Sequence, residues 1–336
     1  MDKKQLNPDW RLSLRNNQTT VPVSSDSNLL GHYLKAATSD NTRKAYRTAI
    51  RQFEKWGGRL PTDQESIVHY LLARAEELNP RTLELHLTAI SQWHQVQSLN
   101  DPVRTPLVRK TMDGIRRIHG KPKQKAKALR LEHLTTMLTH LNQLPESNKK
   151  RRDIALLLTA FFGAFRRSEL VSIQVSDLNW EPEGLIIQLA RSKTDQEGEG
   201  KMRALPFGDS TVCPASAIKL WLEASGITQG SVFRPINRWG QIKAKPLSPG
   251  AVNALLKALG TACDFDFVPD LSSHSFRRGL STSAAREGVD FELIKKQGGW
   301  KSDSTVWGYI EEGRQLSDNA TIVLMKKMVD LIKATL

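Results

Sequence analysis

The feature that most constrains the fold is the apolar run "IALLLTAFFGAF", residues 154–165, the longest such run in this 336-residue chain. Twelve residues are too few to cross a membrane, and no other stretch reaches the roughly 18 apolar residues that a spanning helix needs. The run therefore predicts a buried helix, which we place at 151–166. Another helix is predicted at 131–143, and helices dominate again from Pro214 onwards.

The segment "GLIIQLARSKTDQEGEGKMRALPF", residues 184–207, predicts two strands around a polar, glycine-containing turn. Between residues 29 and about 118 we expect four or five helices. One begins after Ser39 or Asp40 and is stopped by glycines, another opens with a capping box from Thr62 to Glu65, and a third starts at Asn79. The predicted fold class is mostly α, with a small antiparallel sheet confined to the second half of the chain.

The charge balance points to the partner. There are 49 Lys and Arg against 35 Asp and Glu, a net charge of +14, which favours a polyanion such as nucleic acid. An anionic membrane surface is the alternative, but the basic residues are spread over several helices, so we expect no membrane association. The N-terminus has no apolar leader and only two cysteines are present, which predicts a cytoplasmic protein without a metal site.

Basic side chains of the helical region and of "HGKPKQKAKALR" are candidate DNA contacts, because each neutralised phosphate releases condensed counterions. The alternatives are an ordinary solvated helix face and an ordinary linker. We divide the chain into a flexible arm at 1–28, a helical DNA-binding domain at 29–120, a basic linker at 121–130 and a further domain at 131–336. The candidate DNA-binding residues are Arg43, Lys44, Arg47, Arg51, Arg81, Lys121, Lys123 and Lys125.

Three polar groupings interrupt the apolar pattern of the last domain. "FRRSEL" places Arg166 and Glu169 three residues apart, and "HSFRRG" does the same for His274 and Arg277. "QGGWKSDSTVWGYI" carries Tyr309 near the end of the chain. Taken singly, each has a structural interpretation: an internal ion pair, a chance H-x-x-R, and a core tyrosine.

Taken together, these residue types suit attack on a phosphodiester. Negative charge develops on the non-bridging oxygens, which planar guanidinium groups match with paired hydrogen bonds. A tyrosine can attack the phosphorus and conserve the bond energy in a covalent phosphotyrosine. Lys193, in "ARSKTDQ", could protonate the leaving oxygen. Metal-dependent cleavage would instead need a cluster of Asp and Glu, and the sequence contains no such cluster.

The order and spacing of "FRRSEL", "RSKT", "HSFRRG" and "QGGWKSDSTVWGYI" resemble those of the tyrosine recombinases, the phage integrase superfamily. Arg277 precedes Trp300 by 23 residues, and Trp300 precedes Tyr309 by 9. Most members have histidine where Trp300 stands, whereas Cre-like members have tryptophan. An indole donates one hydrogen bond but cannot shuttle a proton, so proton transfer would rest on His274 and Lys193.

The resemblance implies one role for each catalytic candidate. Arg166 and Arg277 would clamp the phosphate, and Glu169 would orient Arg166. Lys193 would be the general acid, and His274 would bind phosphate or handle protons. Trp300 would support phosphate and tyrosine, and Tyr309 would be the nucleophile.

The resemblance also implies a two-domain, C-shaped clamp on duplex DNA that performs site-specific recombination through a Holliday junction, without any cofactor. The partners would be an inverted-repeat target with a short spacer and three further copies of the chain, a dimer per site. The last helix would dock on a neighbouring copy through an apolar stripe, or else fold back on its own core. The stripe comprises Ile322, Met325, Met328, Val329, Ile332 and Leu336.

Alternative functions are a type IB topoisomerase, a hairpin telomere resolvase and a non-catalytic DNA-binding repressor.

Overall fold

The computed structural model of the chain describes residues 29, 32–33, 36–122, 125–189, 201–316 and 319–335. Within them the chain is mostly helical with a small three-stranded antiparallel sheet, which confirms the predicted fold class. The chain divides into two compact units, Met1–Lys123 and Gln124–Leu336. The finer division into arm, linker and oligomerisation helix stays a prediction.

The first unit is built from the helices α1 (Asp40–Trp56), α2 (Gln64–Arg74), α3 (Pro80–Val96) and α4 (Pro106–His119). Helix α1 begins as predicted, because the Ser39 hydroxyl accepts a hydrogen bond from the Thr42 N–H at 3.2 Å. It ends at Gly57, whose φ of 118° favours glycine. The side chains that these helices bury form one core, with Phe53, Tyr70, Leu83 and Ile90 fully enclosed.

The start of α2 differs from the predicted capping box. Asp63 is the N-cap residue, and its carboxylate accepts the Ser66 N–H at 2.8 Å. That bond lowers the pKa of Asp63, since it favours the charged form. The N–H of Thr62 instead donates to Nε2 of His94 at 3.1 Å. A carboxylate satisfies the first N–H groups and also complements the helix dipole, so the cap lies one residue later than the sequence pattern suggested.

The second unit contains the sheet and the remaining helices. Its strands β1 (Leu178–Glu181), β2 (Gly184–Leu189) and β3 (Lys201–Pro206) pair in that order. The helices are α5 (Leu131–Gln143), α6 (Asn148–Phe162), α7 (Arg167–Ser172), α8 (Pro214–Ser225), α9 (Pro249–Ala262), α10 (His274–Arg286), α11 (Phe291–Gly298), α12 (Asp303–Arg314) and α13 (Ala320–Thr335). Strand β1 was not predicted, because only Leu178 of its four residues is buried and no apolar alternation marks it.

Helix α6 carries the long apolar run and lies in the core of this unit. It ends at Phe162, four residues before the predicted end, because Gly163 caps it and Ala164 turns the chain with a φ of 46°. Phe165 still packs in the core, at 1% exposure, but it has left the helix. The turn therefore delivers Arg166 to the start of α7 rather than to the side of α6.

Helix α13 exposes most of the predicted apolar stripe. Ile322 is half-buried, whereas Met325, Met328, Val329 and Ile332 are 47% to 60% exposed. Leu336 lies outside the described residues. None of the helices in the described ranges combines the length and the apolar character needed to cross a membrane.

Candidate active site

Among the predicted site residues that the structure describes, Arg277 is the most enclosed. It lies in the first turn of α10 and is 4% exposed. Its Nη1 donates to the carbonyl of Ala164, at the turn after α6, and its Nη2 donates to the carbonyl of Gly298 at 3.1 Å. Burial, together with the nearby Arg166 charge, lowers the pKa of Arg277 to about 10, so the guanidinium is protonated at neutral pH.

Two aromatic rings lie in sequence beside the Arg277 guanidinium, that of Trp300 first and that of Tyr309 next to it. Cζ of Arg277 lies 4.7 Å from the centre of the Trp300 ring, and the ring centres of Trp300 and Tyr309 are 5.5 Å apart. Cζ of Arg278 lies 5.7 Å from the Tyr309 ring. Tyr309 is half-buried on α12, whose inward positions are taken by Val306 and Ile310. The structure therefore places Tyr309 beside the arginine cluster, held by cation–π and ring contacts, rather than in the core.

Arg166 and Glu169 form a two-point contact at the start of α7. The main-chain N–H of Arg166 donates to one carboxylate oxygen at 2.8 Å, and its Nη1 donates to the other at 2.6 Å. Glu169 is 7% exposed, whereas the Arg166 side chain is 28% exposed. The carboxylate thus fixes the direction of a guanidinium that keeps further N–H donors for another acceptor.

His274 is the first residue of α10 and is exposed. It precedes Arg277 by three residues, so the two side chains lie on one face of the helix, as predicted. The N-terminal end of a helix carries a partial positive charge that favours anions. His274 therefore lies at the end of α10 that favours an anion, one turn before Arg277.

Two predicted residues lie outside the described part of the chain, Lys193 and Lys123. Strand β2 ends at Leu189 and β3 resumes at Lys201, so Lys193 falls between the two strands in the sequence. Its role as general acid stays a prediction.

The remaining DNA-contact candidates differ in exposure. Arg43 is half-buried, forms an ion pair with Asp40 and donates to the carbonyl of Thr38. The others are exposed, on α1, at the start of α3 and in the segment after α4, which suits contact with a phosphate backbone. They are Lys44, Arg47, Arg51, Arg81, Lys121 and Lys125.

Arg203 is a site residue that the sequence reasoning missed. It lies on β3, is 5% exposed, and donates from Nη2 to the carbonyl of Gly298 at 3.1 Å, the same acceptor that Arg277 uses. Burial lowers the pKa of Arg203, which Glu169 raises and Arg166 lowers further. The signal was available, because Arg203 lies two residues before the buried Leu205 and alternate residues of a strand share a face.

The site thus gathers four arginines beside a half-buried tyrosine. Arg166 pairs with Glu169 and Arg278 with Glu312, and the other two donate to main-chain carbonyls. Such an arrangement can hold a phosphodiester by its non-bridging oxygens with a phenol close by. Within the described ranges, no group of three or more His, Cys, Asp or Glu side chains could hold a metal ion.

Comparison with known proteins identifies relatives. Residues 127–315 match the family described as "Phage integrase family". The chain is 35% identical over 296 residues to an integrase/recombinase xerD homolog of Selenomonas ruminantium, covering 85% of this chain and 86% of that protein. It is 24% identical over 274 residues to tyrosine recombinase XerA of Pyrococcus furiosus, covering 81% of this chain and 83% of the relative.

Solved structures share the fold. XerH recombinase bound to its difH substrate in a pre-cleavage complex has a TM-score of 0.58 at 16% identity, covering 93% of both chains. A lambda integrase dimer bound to a COC' core site has a TM-score of 0.59 at 17% identity, covering 87% of this chain and 79% of that one.

Proposed function

This chain belongs to the phage integrase family and is a tyrosine site-specific recombinase, and we propose that it cleaves and rejoins DNA strands through a 3′-phosphotyrosine and a Holliday junction. The observation that carries the proposal is the contact series from Arg277 through Trp300 to Tyr309, which puts a phenol next to a buried cation.

In the proposed reaction, the Tyr309 hydroxyl oxygen attacks the phosphorus and gives its proton to His274. The bond from phosphorus to the 5′ oxygen breaks, and that oxygen takes a proton from Lys193 as it leaves. A 5′ hydroxyl from another strand then attacks the phosphotyrosine and gives its proton to Lys193, which lost one in the first step. The bond from phosphorus to Tyr309 breaks, and the phenol takes its proton back from His274. Each step exchanges one phosphoester for another of similar energy, so no cofactor is required.

The contacts support the proposed role of each residue. Arg166, oriented by Glu169, and Arg277 bind the non-bridging oxygens, and His274 adds a phosphate contact or proton handling. Trp300 supports both Arg277 and Tyr309 through its ring. Its presence where most family members have histidine is what the chain shares with Cre-like recombinases, and we propose that proton transfer does not pass through this position.

We propose that the partner is a double-stranded inverted repeat with a short spacer, bound by a dimer per site and a tetramer in the synapse, in the cytoplasm. The support is that XerH and lambda integrase, which share the fold, have been solved in complex with difH and with a COC' core site. The exposed stripe of α13 would join the copies.

Removing the residues after Asp318 should leave DNA binding by one copy unchanged and weaken cooperative assembly. A truncated protein that assembles normally would exclude this role.

A nicked suicide substrate tests the function. The wild type should form a covalent protein–DNA adduct and joint products from two DNA molecules, and Tyr309→Phe should bind DNA normally yet form no adduct. Relaxation of supercoils without joint products would indicate a topoisomerase, and hairpin ends would indicate a telomere resolvase. Binding without any adduct would indicate a repressor.

A further inference from the structure

Arg203 enters the site from the sheet as a buried cation. Its Nη2 donates to Gly298, 95 residues away in the chain, and its Nη1 donates to the carbonyl of Met202 at 3.1 Å. Within the described residues, Nε has no hydrogen-bond partner and no carboxylate forms an ion pair with the guanidinium. A buried charge without a carboxylate is costly, and an apolar side chain of similar volume often stabilises a fold better. Stability alone therefore does not account for Arg203.

The carbonyl that accepts the hydrogen bond from Nη2 of Arg203 lies at the end of a helix. Gly298 ends α11, where the last carbonyls of a helix lack partners within the helix and carry partial negative charge. Arg277 and Arg203 both donate to this carbonyl at 3.1 Å, one from α10 and the other from β3. Gln297 adds two bonds from the same helix end, to the carbonyls of Phe162 at 2.6 Å and Ala204 at 3.2 Å. Arg203 and Ala204, which are adjacent on β3, thus bind the end of α11 to the sheet.

The tied segment carries the aromatic support of the site. Gly299 has a φ of 59°, and a β-carbon there would overlap the guanidinium of Arg203, so the arginine packs directly on the backbone of the turn. Trp300 follows and contacts both Arg277 and Tyr309. A shift of the turn would therefore displace the clamp and the nucleophile together.

Resting on the recombinase function proposed above, we propose that Arg203 is a positioning residue for strand cleavage. It holds the Gly298–Trp300 turn so that Arg277 and Tyr309 keep their reacting geometry. It acts through these groups rather than by touching DNA, so its loss should slow cleavage and leave affinity unchanged. Lysine can replace one of its two hydrogen bonds but not both, because an ammonium lacks the planar fork.

The test compares Arg203→Met and Arg203→Lys with a matched control, Arg234→Met. Arg234 also binds main-chain carbonyls, those of Ser231 and Gln229, and neither is a site residue. The measurements are the DNA dissociation constant, and the rate and amplitude of single-turnover adduct formation at saturating protein. A destabilised protein loses amplitude, whereas a displaced site loses rate.

Arg203→Met should cleave about 100-fold more slowly, the loss expected for a displacement of about 1 Å, with its dissociation constant within about threefold of wild type. Arg203→Lys should recover part of the rate, and Arg234→Met should match wild type. A cleavage rate for Arg203→Met within threefold of wild type would overturn the proposal, as would an affinity loss as large as the rate loss.

If Arg203→Met does not fold, Arg203→Lys and Arg203→Gln carry the test, and wild-type rates in both would overturn it. A wild type that forms no adduct would contradict the recombinase function, whereas a normal wild-type adduct with an unaffected Arg203→Met would contradict only this inference.

Discussion

Each unit contains a kind of arginine that is held in a different way. In the first unit, several arginines pair with acids near the surface, as Arg74 does with Glu77 and Arg116 with Glu84 and Asp113. In the second unit, Arg277 and Arg203 are buried and donate to carbonyls far away in the sequence. Exposed pairs contribute little to stability and are screened by salt, whereas a buried guanidinium is fixed in direction. We expect the first kind of arginine to set affinity and the second kind to set rate.

Arg277→Ala should give the largest effect. It removes a buried cation on which the Ala164 turn, the Gly298 carbonyl and the Trp300 ring all converge. Adduct formation should fall by on the order of 10³-fold or more, while DNA affinity changes much less. The measurement is single-turnover cleavage beside a binding titration. A parallel loss of affinity and rate would break the contrast between the two kinds of arginine.

Lys193→Ala should follow, with a loss of about 10² to 10⁴ in rate on ordinary DNA. The leaving 5′ oxygen needs an acid, since the pKa of its conjugate acid lies near that of water, far above neutral pH. A bridging sulfur leaves as a thiolate with a pKa of about 8.5 and needs none. The sulfur substrate should therefore restore Lys193→Ala but neither Arg166→Ala nor Arg277→Ala, whose charge acts on non-bridging oxygens. Restoration of a Lys201 variant alone would assign the acid to Lys201.

Arg47→Ala tests the exposed arginines of α1. It should weaken DNA binding by about 1 to 3 kcal/mol and lower the salt dependence by about one counterion, without changing the cleavage rate at saturation. Arg43 is the matched control on the same helix. Its side chain is 13% exposed and already paired with Asp40, so Arg43→Ala should change affinity less. Unchanged affinity and salt slope in both variants would show that this face does not meet DNA.

Asp63→Ala should have the smallest effect, because it removes an exposed charge bonded to backbone N–H groups. The hydrogen bond from Ser66 lowers the folded-state pKa of Asp63, so its contribution to stability is present above the unfolded pKa of about 3.9 and is lost as pH falls through the folded value. The variant should melt at a slightly lower temperature at pH 7, and the difference should vanish in acid. A difference that persists at pH 2 would indicate another role for this side chain.

Local signals predicted much of the fold. Ser39 and Asn79 both precede helices, as their side chains and the following apolar spacing indicate. Where two caps were adjacent, at Thr62 and Asp63, the pattern chose the wrong one, because local spacing does not reveal that the Thr62 N–H is bonded to His94. Strand β1 was not predicted, because a strand with one buried residue has no apolar period to detect.

The sequence by itself determined which residues could serve the chemistry, since motif order and spacing selected Arg166, Glu169, His274, Arg277, Trp300 and Tyr309 before any contact was known. The tertiary structure alone decided how they are held. The turn at Ala164, the carbonyl of Gly298 and the guanidinium of Arg203 meet Arg277 or its partners from 21 to 113 residues away. Capping and periodicity act within about one helical turn, whereas the burial of a guanidinium depends on which distant carbonyls packing brings within hydrogen-bonding distance.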